Sequence, residues 1–285
     1  MALKLMYITN DPEVASIAQE AGVDRITVDL EYIGKAKRQG GMDTVQSHHT
    51  IADVRAVRQA VTEADLLVRC NPLHGRTEEY GSSQEEIDAV VEAGADIVML
   101  PFFKTVGEAE LFIKMVNGRC RTILLLETPE AVDALEDILA LKGIDGIHIG
   151  INDLSLGMGR TFMFELLADG TVEEICLKIR KAGIPYGFGG IAAIGSGTLP
   201  AEAILKEHYR LGSSMVILSR TFCNCEKIRD YKEIRRIFMT EIRKMREKEE
   251  ECARYASYFE ENRKLVAERT EMIRQSMLSK KDAAV

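Results

Sequence analysis

The sequence contains no long hydrophobic run, because none of its apolar stretches approaches the roughly 20 residues that a membrane-spanning helix needs. It also lacks an excess of positive charge: 37 lysines and arginines face 45 aspartates and glutamates, and the formal net charge is −8. Such a chain has no general attraction for nucleic acid or for an anionic membrane. A small acidic molecule remains a suitable partner, since one local arginine or metal ion reverses the charge inside a pocket.

Cysteine is scarce and irregularly spaced, with six residues in a chain of 285. This spacing does not resemble a disulfide framework, and the single pair Cys223 and Cys225 has no second pair with which to build a zinc site. The first residues, MALKLMYITND, have too short an apolar stretch for a secretory signal peptide. The sequence therefore predicts reduced thiols and a cytoplasmic protein.

Short apolar runs alternate with helical patterns along the first three quarters of the chain. Each run is nearly continuous in apolar residues, which is typical of parallel strands covered on both faces. Helical patterns with capping residues such as Thr50 and Thr128 separate them. There are eight runs: Leu3–Thr9, Arg25–Leu30, Leu66–Cys70, Ile97–Leu100, Thr122–Leu126, Ile144–Ile149, Pro185–Phe188 and Ser214–Leu218.

Eight strand–helix repeats predict an α/β fold of the (β/α)8 TIM-barrel type. The alternative is a doubly wound open sheet, which normally has fewer strands and a glycine-rich first turn. Here the first turn, ITNDPE, contains no glycine.

The chain after Gly212 contains neither glycine nor proline, and it is rich in charges of both signs. Three apolar pairs recur at seven-residue spacing, which predicts a long helix with one apolar stripe; they are Tyr258-Phe259, Leu265-Val266 and Met272-Ile273. We therefore predict a catalytic barrel over residues 1–225 and a charged helical extension over 226–285. The stripe favours an arm that assembles a homo-oligomer; the alternative is a solvated barrel helix with a frayed end.

Charged residues stand where several predicted strands end. Asp29 and Glu31 follow the second strand and Arg69 ends the third. Glu127 follows the fifth strand, and Asp153 lies just after the sixth. In a (β/α)8 barrel these ends form one rim, which carries the active site. Charges at the end of a buried strand are costly unless they are paired or bind a metal ion.

Glu127 and Asp153 come from neighbouring strands, so their carboxylates are expected to converge. Two carboxylates without a nearby histidine or cysteine suit Mg²⁺, for which Mn²⁺ or Co²⁺ can substitute. The alternative is structural: Glu127 pairs with Arg69, and Asp153 caps the next helix. The guanidinium fork of Arg69 is also suited to a substrate carboxylate.

Four segments of the chain resemble the HpcH/HpaI aldolase and citrate lyase β-subunit family. The longest is LLLETPEAVDALEDILALKGIDGIHIGINDLSLGMG, and the others are VDLE, VRCNP and GADIVMLPFFKTVGEAE. The resemblance extends over roughly residues 3–222. It implies a (β/α)8 barrel that makes or cleaves carbon–carbon bonds beside a carbonyl, with pyruvate, oxaloacetate or an acyl thioester as substrate or product.

The resemblance also implies roles for individual residues. Glu127 and Asp153 match the metal ligands, and Arg69 matches the arginine that steadies the substrate carboxylate or the enolate. The loop from Gly150 through Asn152 to Asp153 matches the segment that receives the carboxylate. The expected activity is that of a divalent-metal-dependent carbon–carbon lyase, which acts on a small 2-oxo or hydroxy acid through a metal-stabilised enolate.

Two positions depart from the family pattern. Tyr32 stands where family aldolases have the histidine of a GEH motif, and Ile151 replaces the proline of GPND. A phenol is a poor base at neutral pH, so the proton carrier is open among Tyr32, Glu31 and His49. These departures keep a second hypothesis open, a catalytically altered barrel that binds a carboxylate ligand and acts in assembly or regulation.

Overall fold

The computed structural model describes residues 2–35, 48–78, 80–225 and 227–282. Its strands are all parallel and close into one barrel in chain order, with the last strand paired to the first. The predicted (β/α)8 barrel is therefore confirmed, and the open sheet is excluded. The strands are β1 Lys4–Ile8, β2 Arg25–Asp29, β3 Asp65–Arg69, β4 Ile97–Leu100, β5 Arg121–Leu126, β6 Gly146–Ile149, β7 Tyr186–Ile191 and β8 Met215–Leu218.

Helices lie between consecutive strands and after the last one. In the described part of the chain they are α1 Pro12–Glu20, α2 Ile51–Ala60, α3 Ser83–Glu92, α4 Val106–Val116, α5 Pro129–Asp133, α6 Leu135–Leu139, α7 Ile151–Gly157, α8 Glu165–Ala168, α9 Thr171–Lys181, α10 Ala201–Leu211, α11 Tyr231–Arg254 and α12 Phe259–Asp282.

Capping residues fix where several of these helices begin. Thr50, Ser82 and Thr105 each form a capping box, in which the side chain accepts the N3 amide while the N3 carboxylate accepts the cap amide. Such caps are worth about 1 kcal/mol each. Thr105 lies shortly after β4, which ends at Leu100, so its cap fixes that loop at the carboxyl rim of the barrel.

Two apolar cores flank the strands. The inside of the barrel is filled by one set of side chains from alternate strand positions: Met6, Leu67, Ile97, Met99, Ile123, Leu125 and Met215. The neighbouring positions point outwards and form the larger core between strands and helices. The barrel interior is thus packed, and space for chemistry exists only at its rim.

The two long C-terminal helices lie against the barrel. Helix α11 packs on α1 through Ile234, Phe238, Ile242 and Met245, which recur at helical spacing and are buried. Helix α12 packs on α10 and α8, with Val266 buried and the Asn262 amide bonded to the Ala203 carbonyl at 3.1 Å. No described helix is both long and apolar enough to cross a membrane.

Candidate active site

The carboxyl ends of β2, β3, β5 and β6 meet around a cavity of about 210 Å³. The cavity wall contains every charged residue that the sequence places at this rim except Asp29: Glu31, Arg69, Glu127 and Asp153. Lys35, His148 and Asn152 also line it. The barrel thus brings together the predicted metal ligands, the predicted arginine and part of the predicted substrate loop.

Arg69 is held by Asp29 across two neighbouring strands. The β2–β3 register places the two residues opposite each other. Arg69 Nε donates to Asp29 Oδ1 at 2.7 Å, and Nη2 donates to Asp29 Oδ2 at 2.6 Å, so the fork is occupied in the bidentate manner. Burial by itself would raise the pKa of Asp29, but the Arg69 guanidinium and Lys35 outweigh it and hold that pKa well below its usual range.

Lys35 completes an ion network at the mouth. Its Nζ atom lies 3.1 Å from Asp29 Oδ2 and 3.3 Å from Glu31 Oε2, and the residue is buried. Arg69 Nη1 lies 3.4 Å from the same Glu31 oxygen. Among the described residues, two cations therefore pair with two carboxylates, and the charges of these four side chains cancel.

Glu127 has no such balance. It is buried at the end of β5, and its Oε1 accepts the Phe102 amide at 2.9 Å. Burial, followed by the nearby carboxylates Glu31 and Asp153, raises the pKa of Glu127 well above its usual range, against the weaker opposing effect of Arg69. A carboxyl in this position accepts either a proton or a cation.

The loop after β6 lies directly beneath this carboxyl. A Cβ atom at Gly150 would come within 2.7 Å of Glu127 Oε2, so a glycine is needed there for close approach. Asp153 follows in the first turn of α7, and its Oδ1 accepts a hydrogen bond from the side-chain Nδ2 of Asn152 at 3.2 Å. Asp153 is near enough to help raise the pKa of Glu127, and both residues line the same cavity.

The three candidate proton carriers occupy different positions. Glu31 is buried at the cavity wall, whereas the Tyr32 side chain is 42% exposed and its ring centroid lies 5.0 Å from that of His48. His49 is half-buried, and its Nδ1 accepts the Asp29 amide at 3.0 Å. Asn71 positions the Glu31–Lys35 turn, because its Oδ1 accepts the amides of Tyr32 and Ile33.

Sequence reasoning assigned no role to Lys35, which lies between both carboxylates of the network. A signal was present: Lys35 follows Glu31 by four residues, the spacing of an ion pair on one helical turn. Asp29 was visible as a strand-end carboxylate, but its partner could be identified only from the strand register.

The closed parallel barrel, with charged side chains at the carboxyl ends of its strands, defines the class of the protein as a (β/α)8 barrel. The chain belongs to the HpcH/HpaI aldolase/citrate lyase family, whose sequence profile it matches over residues 4–187.

Curated relatives are similar over most of their length. The hydroxypyruvate/pyruvate aldolase of Roseovarius nubinhibens is 24% identical over 202 residues, which cover 66% of this chain and 76% of the relative. The 2-keto-3-deoxy-L-rhamnonate aldolase of Shigella dysenteriae is 25% identical over 210 residues, which cover 63% and 71%.

Solved structures share the fold. A family protein from Burkholderia cenocepacia superposes with a TM-score of 0.60 at 15% identity, over 82% of this chain and 95% of the other. The citrate synthase SbnG superposes with a TM-score of 0.58 at 17% identity, over 87% and 94%.

Proposed function

We propose that this chain is a divalent-metal-dependent carbon–carbon lyase of the aldolase type that acts on a small 2-oxo or hydroxy acid. Family membership and the names of the relatives support an aldolase or lyase activity. The observation that carries the proposal is Glu127, a buried carboxyl beside Glu31 and Asp153 without a compensating cation of its own.

The donor set suits a hard divalent cation. The described residues contain no group of three or more histidine, cysteine or acidic side chains placed to enclose a metal ion. Two carboxylates, Glu127 and Asp153, are what Mg²⁺ takes from a protein when waters and substrate oxygens complete its shell, and Mn²⁺ or Co²⁺ accepts the same ligands. When bound there, the cation supplies a Lewis acid that polarises the substrate carbonyl and favours the enolate.

The two cations of the network, Arg69 and Lys35, are proposed to stabilise the negative charge that develops on the substrate. Arg69 Nε and Nη2 bind Asp29 and Nη1 lies 3.4 Å from Glu31, so the guanidinium is held in place where Arg69 lines the cavity wall. Lys35 lies on the same wall. Both groups are fixed before substrate arrives, so they stabilise a developing oxyanion without reorganising.

The loop from Gly150 to Asp153 is proposed to receive the substrate carboxylate. The amides in the first turn of α7 have no carbonyl partner within the helix. Asn152 and Asp153 line the cavity beside them. A 2-oxo acid bound here would direct its reactive carbon towards the network of Glu31, Lys35 and Arg69.

The proton steps are proposed for Glu31 and His49. A backbone amide can only donate, so Nδ1 of His49 carries the lone pair and Nε2 carries the proton. Burial lowers the pKa of His49, which keeps it neutral at pH 7. His49 is thereby arranged to donate a hydrogen bond from Nε2 to a developing alkoxide, and Glu31 is the carboxylate at the wall that can accept the proton.

The proposal is tested by pyruvate release from a panel of 4-hydroxy-2-oxo acids with Mg²⁺, Mn²⁺ or Co²⁺. We expect Glu127→Gln and Asp153→Asn each to abolish Mn²⁺ binding in calorimetry and to lower kcat/KM at least 100-fold, with the fold retained by circular dichroism. Glu110→Gln, on the exposed side of α4, is the matched control and should leave both quantities unchanged. Unaltered Mn²⁺ affinity in both site variants would show that the site is misplaced.

A second candidate function is a catalytically altered barrel that binds a carboxylate ligand. Two observations favour it: Tyr32 is directed to solvent at the family's proton-carrier position, and Asp29 already occupies the Arg69 fork. Pyruvate binding in calorimetry without cleavage of any member of the panel would support this function over the lyase.

A homo-oligomer assembled through the C-terminal helices is also proposed. One side of the α12 stripe packs on the barrel through Val266, whereas Leu265 and Met272 remain 39% and 63% exposed. An exposed aliphatic pair on a long charged helix is suited to burial against the same helix of a second copy.

A further inference from the structure

Two cysteines lie side by side where the chain leaves the barrel. Cys223 and Cys225 follow β8, and their Sγ atoms are 3.7 Å apart. The Cys225 amide donates to the Cys223 carbonyl at 3.1 Å, which closes a tight turn, and the Tyr7 hydroxyl donates to the same carbonyl at 2.9 Å. The turn and the hydroxyl together hold the two sulfur atoms on one side of the backbone.

The pair opens onto the mouth of the barrel. Both cysteines line a cavity of about 470 Å³ that is separate from the candidate metal site. Lys35 and Arg69 form part of the wall of both cavities, so the two spaces adjoin at the ion network. Cys225 is partly exposed to the cavity, whereas Cys223 is 3% exposed.

The other thiols of the chain have different surroundings. Cys70, Cys176 and Cys252 are buried, and Cys120 is half-buried at the amino-terminal end of β5. Burial raises the pKa of each of these four thiols. They are therefore protonated and poorly reactive near neutral pH.

Cys225 is the one cysteine of the chain whose pKa is lowered. The hydrogen bond from Cys223 lowers the pKa of Cys225 to about 7 despite the opposing effect of burial, and the Tyr7 hydroxyl 3.1 Å away assists. As the donor of that bond, Cys223 has its own pKa raised, with burial adding to the shift. One sulfur is thus a ready nucleophile, and the other is a thiol in contact with it.

We propose that Cys225 and Cys223 form a reversible thiol–disulfide site that reacts with low-molecular-weight disulfides such as oxidised glutathione. The Cys225 thiolate attacks one sulfur of the small disulfide, forms a mixed disulfide and releases one thiolate. Cys223 gives its proton to that thiolate and attacks the Cys225 sulfur, which releases the second small thiol. Two protein thiols are oxidised to one disulfide, and one small disulfide is reduced to two thiols.

The geometry suits both steps. A disulfide has a sulfur–sulfur distance of about 2.05 Å, so closing the pair requires a movement of under about 2 Å within one turn. The mixed disulfide places its adduct in the cavity beside Lys35 and Arg69. Oxidation at this site is therefore expected to change access to the ion network from the β1 and β8 side of the mouth.

The test uses the full chain, treated with excess oxidised glutathione at pH 7, quenched with acid and mapped by peptide mass spectrometry. We expect the internal Cys223–Cys225 disulfide in the unaltered chain, a persistent glutathione adduct on Cys225 in Cys223→Ser, and no adduct in this segment in Cys225→Ser. Cys120→Ser is the matched control and should react like the unaltered chain.

A second measurement does not depend on disulfide formation. The rate of Cys225 alkylation by iodoacetamide should be half-maximal near pH 7, and Tyr7→Phe should move that midpoint upwards by removing the assisting hydroxyl. Faster labelling of Cys120 than of Cys225 at pH 7, or accumulation of a stable mixed disulfide in the unaltered chain, would overturn the proposal.

Discussion

The charged residues at the mouth form two groups: a network in which the charges are paired, and a carboxyl group that lies outside it. Asp29, Glu31, Lys35 and Arg69 neutralise one another, and removing one member would leave a buried charge, at a cost of about 3–5 kcal/mol. Glu127 is left outside this balance and carries the raised pKa. The same rim therefore holds two cations that are fixed by ion pairs and one buried carboxyl group, Glu127, that has no ion-pair partner among the described residues.

The contrast between Tyr32 and His49 leads to a prediction about proton transfer. Tyr32→Phe removes only an exposed hydroxyl and should leave Mg²⁺-dependent oxaloacetate decarboxylation and aldol cleavage within about twofold of the unaltered chain. His49→Ala should lower aldol activity by about 100-fold, the usual contribution of one hydrogen-bond donor to a developing oxyanion, and should leave decarboxylation nearly intact. Both activities are measured by release of pyruvate.

Two further variants separate the proton of His49 from its structural bond. His49→Asn keeps an acceptor near the Nδ1 position for the Asp29 amide but has no counterpart of Nε2, so it should fail in the aldol assay like alanine. His49→Gln places an N–H group near Nε2 and should recover part of the activity. Loss of decarboxylation in Tyr32→Phe with Mn²⁺ still bound would instead make Tyr32 the catalytic acid.

At this scale the sequence identified the residue types but could not identify their partners. Glu127, Asp153 and Arg69 were recognisable because each stands at the end of an apolar run. The pairing of Arg69 with Asp29 depends on a strand register that no local pattern encodes. The sequence left Arg69 open between a substrate carboxylate and a pair with Glu127, whereas its ion pairs in the structure are with Asp29 and Glu31.

At the scale of elements, β7 shows why glycine-rich sequence is ambiguous. The run Gly187–Gly190 lies within the strand Tyr186–Ile191, which extends beyond the predicted end at Phe188. A Cβ at Gly187 would lie 2.0 Å from the Met215 carbonyl oxygen, and one at Gly189 would lie 2.7 Å from the Ile151 side chain. Close packing of β7 on its neighbours, which is a long-range property, accounts for these two glycines.

Helix α12 has an inner side against the barrel and an outer side in solvent. If the outer side joins two copies, Leu265→Glu together with Met272→Lys should lower the mass in light scattering by breaking the contact, with little change in stability. Val266→Ala, on the inner side, is the control: it should reduce the free energy of unfolding by about 1–2 kcal/mol and leave the mass unchanged.

A mass that stays the same in the outer-side variant would assign α12 to covering the barrel alone. Substitutions are preferable here to truncation within α11. Glu249 accepts the Leu3 amide at 2.7 Å, so shortening the chain before that residue would disturb β1 as well as any contact between copies.

Two buried neutral histidines affect the molecule as a whole. Burial lowers the pKa of His148 to about 4 and that of His208 to about 3. His208 stacks on Phe188 at 3.8 Å, and its Nδ1 is bonded to the Ser213 hydroxyl at 2.8 Å. Both rings are therefore uncharged in the folded state at neutral and mildly acidic pH.

The sign of the resulting pH dependence follows from the unfolded chain. An exposed histidine has a pKa near 6.5, so as the pH falls below that value the unfolded state binds protons before the folded state does. Stability is then lost progressively, and each ring costs about 2 kcal/mol between pH 7 and pH 5. His208→Leu should remove about that much of the loss, as measured by urea unfolding at the two pH values.

The other titratable groups are the same in the unaltered chain and in His208→Leu. The difference between the two proteins in the pH dependence of the unfolding free energy therefore reports on His208. Identical slopes would show that the ring is protonated inside the fold. Val266→Ala, which removes a buried side chain without a titratable group, is a suitable control and should leave the pH dependence of stability unchanged.

The barrel itself was predictable to a large extent. Eight apolar runs with capped helices between them fixed the strand count, and the observed strands begin or end within a few residues of the predicted ones. The packing of α12 on α8 and α10 could not be predicted, because the sequence shows an apolar stripe but not which surface covers it. Periodicity is local, whereas the identity of a packing partner depends on the whole fold.

The hydrogen bond between the Leu3 amide and Glu249 has a consequence for folding during synthesis. The carboxylate that accepts the Leu3 amide lies 246 residues later in the chain, and β1 also pairs with β8, the last strand of the barrel. At about 5–20 residues per second, the ribosome takes on the order of tens of seconds to synthesise the chain between β1 and these partners. During that time β1 has an unpaired strand edge, and the barrel cannot close until β8 has emerged.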